Sequence, residues 1–161
     1  MSSEARLFRH ELKFFIDESE MEILVKRIGT VIPRDANAGS GEYTIRSLYF
    51  DDMFAGAYED KLAGVEKRKK YRIRIYNYSD SIIKLECKQK QGQYIHKTAA
   101  TLSRGEADAL IAGDYGFLID RGEPVCRQFY LECAGNKMMP KVVVDYDRIP
   151  FVFPYGDVRI T

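Results

Sequence analysis

Lys70-Tyr-Arg-Ile-Arg-Ile-Tyr76 alternates basic side chains with isoleucine and tyrosine, a pattern that favours a β-strand. Successive strand residues point to opposite faces, so Arg72 and Arg74 leave the chain on the same side. The following stretch, Lys84-Leu-Glu-Cys-Lys-Gln-Lys90, repeats the device with Lys84, Glu86, Lys88 and Lys90 on one face. Two adjacent strands then share a charged surface whose neighbouring side chains sit roughly 6.6 Å apart along each strand. Cations that close need carboxylates, water or a bound anion between them. A strand that simply faces water alternates in the same way, so the pattern is open to both readings.

Working outward, Asn77 to Ser81 joins these two strands, and Gln91-Gly-Gln93 before Tyr94 predicts a tight hairpin into a further strand. The sheet is therefore expected to be antiparallel. Toward the N-terminus, Leu7 to Ile16 reads as a strand with Arg9, Glu11 and Lys13 on one face and His10, Leu12, Phe14 and Ile16 on the other. Asp17 or Ser19 can cap a helix with the apolar stripe Met21, Leu24, Val25, Ile28 and Val31, ending near Pro33. A loop over Arg34 to Gly41 leads to a strand, Tyr43 to Phe50, and then to a short amphipathic helix carrying Phe54, Ala57, Tyr58 and Leu62 and stopped at Gly64. Beyond the hairpins, Ser103 with Glu106 predicts a capping box for a helix ending at Gly113, and a second helix is expected over Val125 to Cys133. Lys141 to Phe151 reads as a strong strand, and Asp157 to Thr161 starts another.

The 25 basic and 24 acidic residues nearly cancel, but their distribution does not. Between Lys61 and Arg104 twelve Lys or Arg face only three acids, Glu66, Asp80 and Glu86, so the local potential is positive. Within this region Lys67-Arg-Lys-Lys70 reads by itself as a solvated charge run, because four consecutive strand residues cannot all face one ligand. Cys87, Cys126 and Cys133 lack metal-ligand spacing, the last two are placed as neighbours in a helix core, and reduced thiols are expected. His10 and His96 are isolated, without the paired spacing of a zinc site. No glycine-rich phosphate loop and no Ser-His-Asp order occurs, so phosphate binding would have to come from side chains. No recognised nucleic-acid signature accompanies the basic region, and nucleic acid is not expected as a partner. The charged N-terminus holds no apolar run long enough for a signal peptide or a membrane span; one domain over 1–161 and a cytoplasmic location are expected.

Seven short motifs, in order, carry a resemblance: Glu11-Leu-Lys13, Ser47-Leu-Tyr-Phe-Asp51, Tyr71-Arg-Ile-Arg74, Leu85-Glu-Cys-Lys88, His96-Lys97, Tyr146-Asp-Arg148 and Val158-Arg-Ile160. Together they resemble the polyphosphate polymerase domain of the vacuolar transporter chaperone type, within the triphosphate tunnel metalloenzyme superfamily. The resemblance implies an α+β fold, an eight-stranded antiparallel barrel with flanking helices and a tunnel lined by Lys, Arg and Glu. It implies phosphate contacts from Lys13, Arg72, Arg74, Lys88, Lys97, Tyr146, Arg148 and Arg159, with Arg72, Arg74 and Lys88 carrying catalysis. Glu11 and Glu86 follow as carboxylates that hold neighbouring cations or help at a metal. One departure stands out. Triphosphatases and adenylate cyclases of this superfamily begin Glu-x-Glu-x-Lys, whereas Arg9-His-Glu11-Leu-Lys13 exchanges the first carboxylate for a cation, favouring longer polyanions over a metal.

The implied reaction transfers the γ-phosphoryl group of ATP to a growing polyphosphate chain with Mn²⁺ or Mg²⁺. The resemblance places a metal-binding glutamate in a strand beyond Thr161, so the metal ligand stays unassigned and the chain is expected to be C-terminally truncated. ATP and inorganic polyphosphate are the implied partners, together with a membrane protein that would receive the product. A tripolyphosphate or nucleoside triphosphate hydrolase using the same tunnel and a non-catalytic polyanion-binding module are the alternative functions.

Overall fold

A computed structural model describes residues 11–39, 41–155 and 158–161. Among these residues four helices and seven strands follow in chain order: α1 (Glu18–Gly29), β1 (Tyr43–Asp51), α2 (Gly56–Leu62), β2 (Lys67–Tyr76), β3 (Ser79–Gln91), β4 (Tyr94–Leu102), α3 (Arg104–Ala112), α4 (Pro124–Asn136), β5 (Met139–Arg148), β6 (Phe151–Phe153) and β7 (Val158–Ile160). A five-stranded sheet has the order β4-β3-β2-β1-β5, and β6 pairs with β7. The ladders β2 to β3, β3 to β4 and β6 to β7 are antiparallel. The fold is α+β, as expected. The barrel is not closed among the described residues, because β4 and β5 are edges of the sheet rather than partners of one another.

Contacts divide the chain into two compact units, the first holding Glu11 and Arg46–Val144, the second Leu12–Ile45 and Asp145–Thr161. The first has the larger core. Odd-numbered residues of β2 and β3 and even-numbered residues of β4, including Tyr71, Ile73, Ile83, Leu85, Cys87, Ala100 and Leu102, are buried in one cluster with side chains of α3 and α4. Phe129 of α4 is its centre: its ring stacks on Tyr71 at 4.8 Å between centroids and meets Phe50 edge-on at 5.0 Å. Such aromatic pairs add to the burial of their area. Cys126 and Cys133 are buried free thiols in the same helix core, as their spacing predicts. Since one sheet face is sealed this way, the even-numbered residues of β2 and β3 must take the other face.

Both predicted capping boxes form. Asp17 accepts from the Glu20 amide while Glu20 accepts from the Asp17 amide, and Ser103 and Glu106 do the same at α3. Each satisfies two helix-end donors that would otherwise lack partners. Ser103→Ala should therefore lower stability by about 1 kcal/mol, read as a melting shift of roughly 2–4 °C. An unshifted transition would show that solvent satisfies those amides equally well.

Several expectations change. The N-terminal strand over Leu7 to Ile16 falls partly outside the described residues, with Arg9 and His10 among them, and Glu11–Ile16 form no strand. Alternation only says which face a residue takes once paired, and Leu12 and Phe14, read as inward, are 79% and 81% exposed. The stripe of α1 is only partly covered: Val25 and Ile28 are half-buried, and no residue of that helix is fully buried. The loop predicted over Asn77 to Ser81 is shorter, because Asn77 and Tyr78 both take positive φ (49° and 55°) and close a two-residue hairpin. The strand expected over Lys141 to Phe151 is broken into β5 and β6 at Pro150, which has no amide hydrogen and restricts Ile149 before it. Lys67 to Lys70, read as a solvated run, belongs to β2, so its members divide between the two faces of the sheet. No described helix is long and apolar enough to cross a membrane.

Candidate functional site

The register of the first unit assembles the charged face. Arg72 lies opposite Glu86, Lys70 opposite Lys88, Arg74 opposite Lys84, and across the next ladder Lys88 lies opposite Lys97. Glu86 is the hub and is fully buried. Its Oε2 accepts from Arg72 Nε at 2.9 Å and from a terminal nitrogen of Arg72 at 2.7 Å, while Arg74 stands 3.6 Å from the same oxygen. Lys97 reaches diagonally across the ladder and donates to Oε1 at 3.1 Å. Among the described residues three cations therefore meet one carboxylate.

Strand β1 fixes the directions of the guanidinium groups. Arg72 also donates to the Tyr49 hydroxyl at 2.9 Å, and Arg74 Nε donates to the Ser47 hydroxyl at 3.2 Å. Both arginines are thus nearly sequestered, with side-chain exposures of 11% and 7%, whereas Lys97 is 50% exposed. Burial alone would raise the Glu86 carboxyl, but the opposing fields of Arg72, Arg74 and Lys97 outweigh it and hold the group below its ordinary value. Burial alone would lower Arg72, and Glu86 with Tyr49 reverses that, keeping the guanidinium charged. Side chains held this firmly lose little further entropy on meeting a ligand.

The family whose sequence model is described as the VTC domain matches residues 8–161, almost the entire chain. The chain belongs to the VTC domain family. Among solved structures, the VTC domain is similar to a Bacillus halodurans protein described as a candidate adenylate cyclase, with a TM-score of 0.53 and 14% identity. The match covers 88% of the VTC domain and 65% of that protein, so the chain spans just under two thirds of its relative's length. At that identity the likeness establishes the triphosphate tunnel fold alone. No curated protein matches the sequence.

The first unit brings Arg72, Arg74, Glu86 and Lys97 into direct contact, and Lys88 pairs with Glu11 at 2.7 Å. The remaining expected residues of the VTC domain fall in the second unit. There Arg159 donates to the buried carboxylate of Asp35 at 2.8 Å, the Arg148 guanidinium covers the Tyr146 ring at 5.5 Å, and Lys13 is exposed ahead of α1. Ser47, Tyr49 and Lys70 were not singled out by the sequence for this face. Ser47 and Tyr49 alternate within a motif already quoted, and Lys70 has the parity of Arg72, so the signal was present in the spacing. A cavity of about 470 Å³ opens on the opposite face of the sheet, beside Tyr71, His96 and Glu132. Its carboxylates Asp51 and Asp52 are engaged by backbone amides at the start of α2, and Glu132 is paired with Lys69.

Proposed function

We propose that this VTC domain binds nucleoside triphosphate and polyphosphate and transfers the γ-phosphoryl group of ATP to the end of a growing polyphosphate chain. The observation that carries this reading is the trio Arg72, Arg74 and Lys97 around the single buried carboxylate of Glu86. Cations gathered on one sheet face, with Lys97 half exposed, raise the local potential there and attract an anion. Phosphates suit the geometry better than carboxylates do, because the cations come as a fixed surface that can meet several oxygens at once.

In the transfer, a terminal phosphate oxygen of the acceptor chain forms a bond to the γ-phosphorus as the bond to the β–γ bridging oxygen breaks, and ADP departs with that electron pair. No covalent enzyme intermediate is needed. Arg72 and Arg74 neutralise charge on the equatorial oxygens, and Lys88 and Lys97 hold the neighbouring phosphates in line. Lys13, Tyr146, Arg148 and Arg159 are proposed to contact phosphates as well. The reading includes Mn²⁺ or Mg²⁺ as a cofactor, yet the described residues contain no group of three His, Cys, Asp or Glu able to hold a metal. Both Glu86 oxygens are already engaged by cations, so no step is assigned to a protein-held ion.

Incubating the full-length protein with ATP and Mn²⁺ and resolving products by gel tests the reading. Chains that lengthen as ADP appears in equal amounts are expected. Phosphate release from ATP and tripolyphosphate without chain growth would favour a hydrolase. Salt-sensitive polyphosphate binding without turnover would favour a binding module.

A further inference from the structure

A recess of about 540 Å³ adjoins the charged cluster within the first unit. Its apolar walls are Phe50 of β1 with Val142 and Val144 of β5, and Tyr49 and Tyr58 contribute aromatic rings. Three lysines, Lys61, Lys70 and Lys141, line the same space. The recess is continuous with the cluster at Tyr49, whose hydroxyl accepts the 2.9 Å hydrogen bond from Arg72. Lys70 continues the cationic face as well, since it opens the row that runs through Lys88 to Lys97. Among the described residues Asp51 is the one acidic residue lining the recess, and its carboxylate accepts from the amides of Ala57 at 2.9 Å and Tyr58 at 3.1 Å. Those donors offset its charge toward an incoming anion.

Inorganic polyphosphate has no use for apolar walls, whereas a nucleotide carries a flat, weakly polar base on the end of an anionic tail. We propose that this recess is the nucleoside subsite of the VTC domain, with Tyr58 as the base-stacking residue and Lys70 at the junction between base and phosphates. The inference rests on the nucleoside triphosphate reading above and deepens it by assigning the other half of the ligand. Burial lowers Lys70, as does the neighbouring charge of Lys61, and a phosphate between the two lysines would relieve their repulsion. Tyr58 is 52% exposed, so a ligand can cover its ring and the core does not depend on it. The recess also explains why α2 matters although it buries no residue of its own: it presents Tyr58 to this space.

The test measures Kd for ATP and for inorganic tripolyphosphate by calorimetry on the full-length protein and on Tyr58→Ala and Tyr58→Phe. Loss of one aromatic stacking partner should weaken ATP about tenfold in Tyr58→Ala. Tripolyphosphate should stay within about twofold, and Tyr58→Phe should restore ATP. Unchanged ATP affinity in Tyr58→Ala, or an equal loss for both ligands, would overturn the subsite. Parent protein that binds tripolyphosphate but not ATP would overturn it while leaving the polyanion face intact. Binding of neither ligand would defeat the proposed function along with it.

Discussion

Glu86→Gln should melt about 6–12 °C below the parent protein at neutral pH, and tripolyphosphate should raise its melting temperature by more than it raises the parent's. The substitution keeps the shape of the side chain and removes the charge. Removing one partner of a buried ionic network typically costs about 3–5 kcal/mol. Lys97 is half exposed and can turn to water, so the low end, about 3 kcal/mol, applies here, and each kcal/mol moves the transition of a chain this size by roughly 2–4 °C. Arg72 and Arg74 then repel one another across an uncharged centre. A polyanion supplies the missing charge, which is why its stabilising effect should grow in the variant. A pH series adds an independent check. The folded-state carboxyl lies below its ordinary value, so its contribution is complete above about 4.5 and is lost as pH falls through the folded value. The gap between parent and variant should therefore close in acid. A variant that melts with the parent at neutral pH would mean that the carboxylate does not hold this cluster together.

How much of this could be read beforehand follows from what a periodicity encodes. Parity along β2 and β3 put Arg72, Arg74, Glu86 and Lys88 on one face, because a period of two fixes sidedness whatever the tertiary context. The capping pairs were legible for the same reason: Asp17 with Glu20, and Ser103 with Glu106, act over three residues. Parity does not say which residues of a distant strand meet a given face. Ser47 and Tyr49 lie 27 and 23 residues from the arginines they orient, and neither carries a charge to draw attention to itself. Tyr78 shows a different limit. Tyrosine at positive φ runs against local preference, so a longer loop was the better reading of Asn77 to Ser81; in the fold, the Arg46 guanidinium packs over its ring at 4.6 Å. Lys70 was hidden by its neighbours: four basic residues in a row look like a solvated surface until the strand separates odd from even. The N-terminal alternation failed oppositely over Glu11–Ile16, since a pattern suited to pairing does not by itself provide a partner strand.

Replacing both Arg72 and Arg74 by glutamine should reduce tripolyphosphate affinity by about a thousandfold. A hydrogen bond to a charged group contributes roughly 1.5–3 kcal/mol, and two such losses near 2 kcal/mol each correspond to about three decades in Kd. The same change should flatten the dependence of log K on log salt by about two, since two fewer phosphate charges are neutralised. The double variant leaves Glu86 buried with only Lys97 beside it, so instability could imitate a loss of binding. Adding Glu86→Gln removes that ambiguity, because the resulting triple variant has no buried carboxylate left without its arginines, keeps a similar volume, and leaves only the half-exposed Lys97 charged. Lys97→Ala gives a second control: it withdraws one half-exposed cation, should cost about tenfold in affinity, and should leave the melting temperature within a few degrees. Direction separates the two arginines from a general field effect. A cation acting only through the overall potential would lose affinity in step with formal charge, so two neutralised arginines would equal two neutralised lysines such as Lys67 and Lys69, which line the cavity on the other side of the sheet. The buried arginines, fixed by Glu86, Ser47 and Tyr49, should cost at least tenfold more than that pair. A cooperatively folding triple variant that still binds tripolyphosphate within tenfold of the parent would remove this sheet face from the phosphate path.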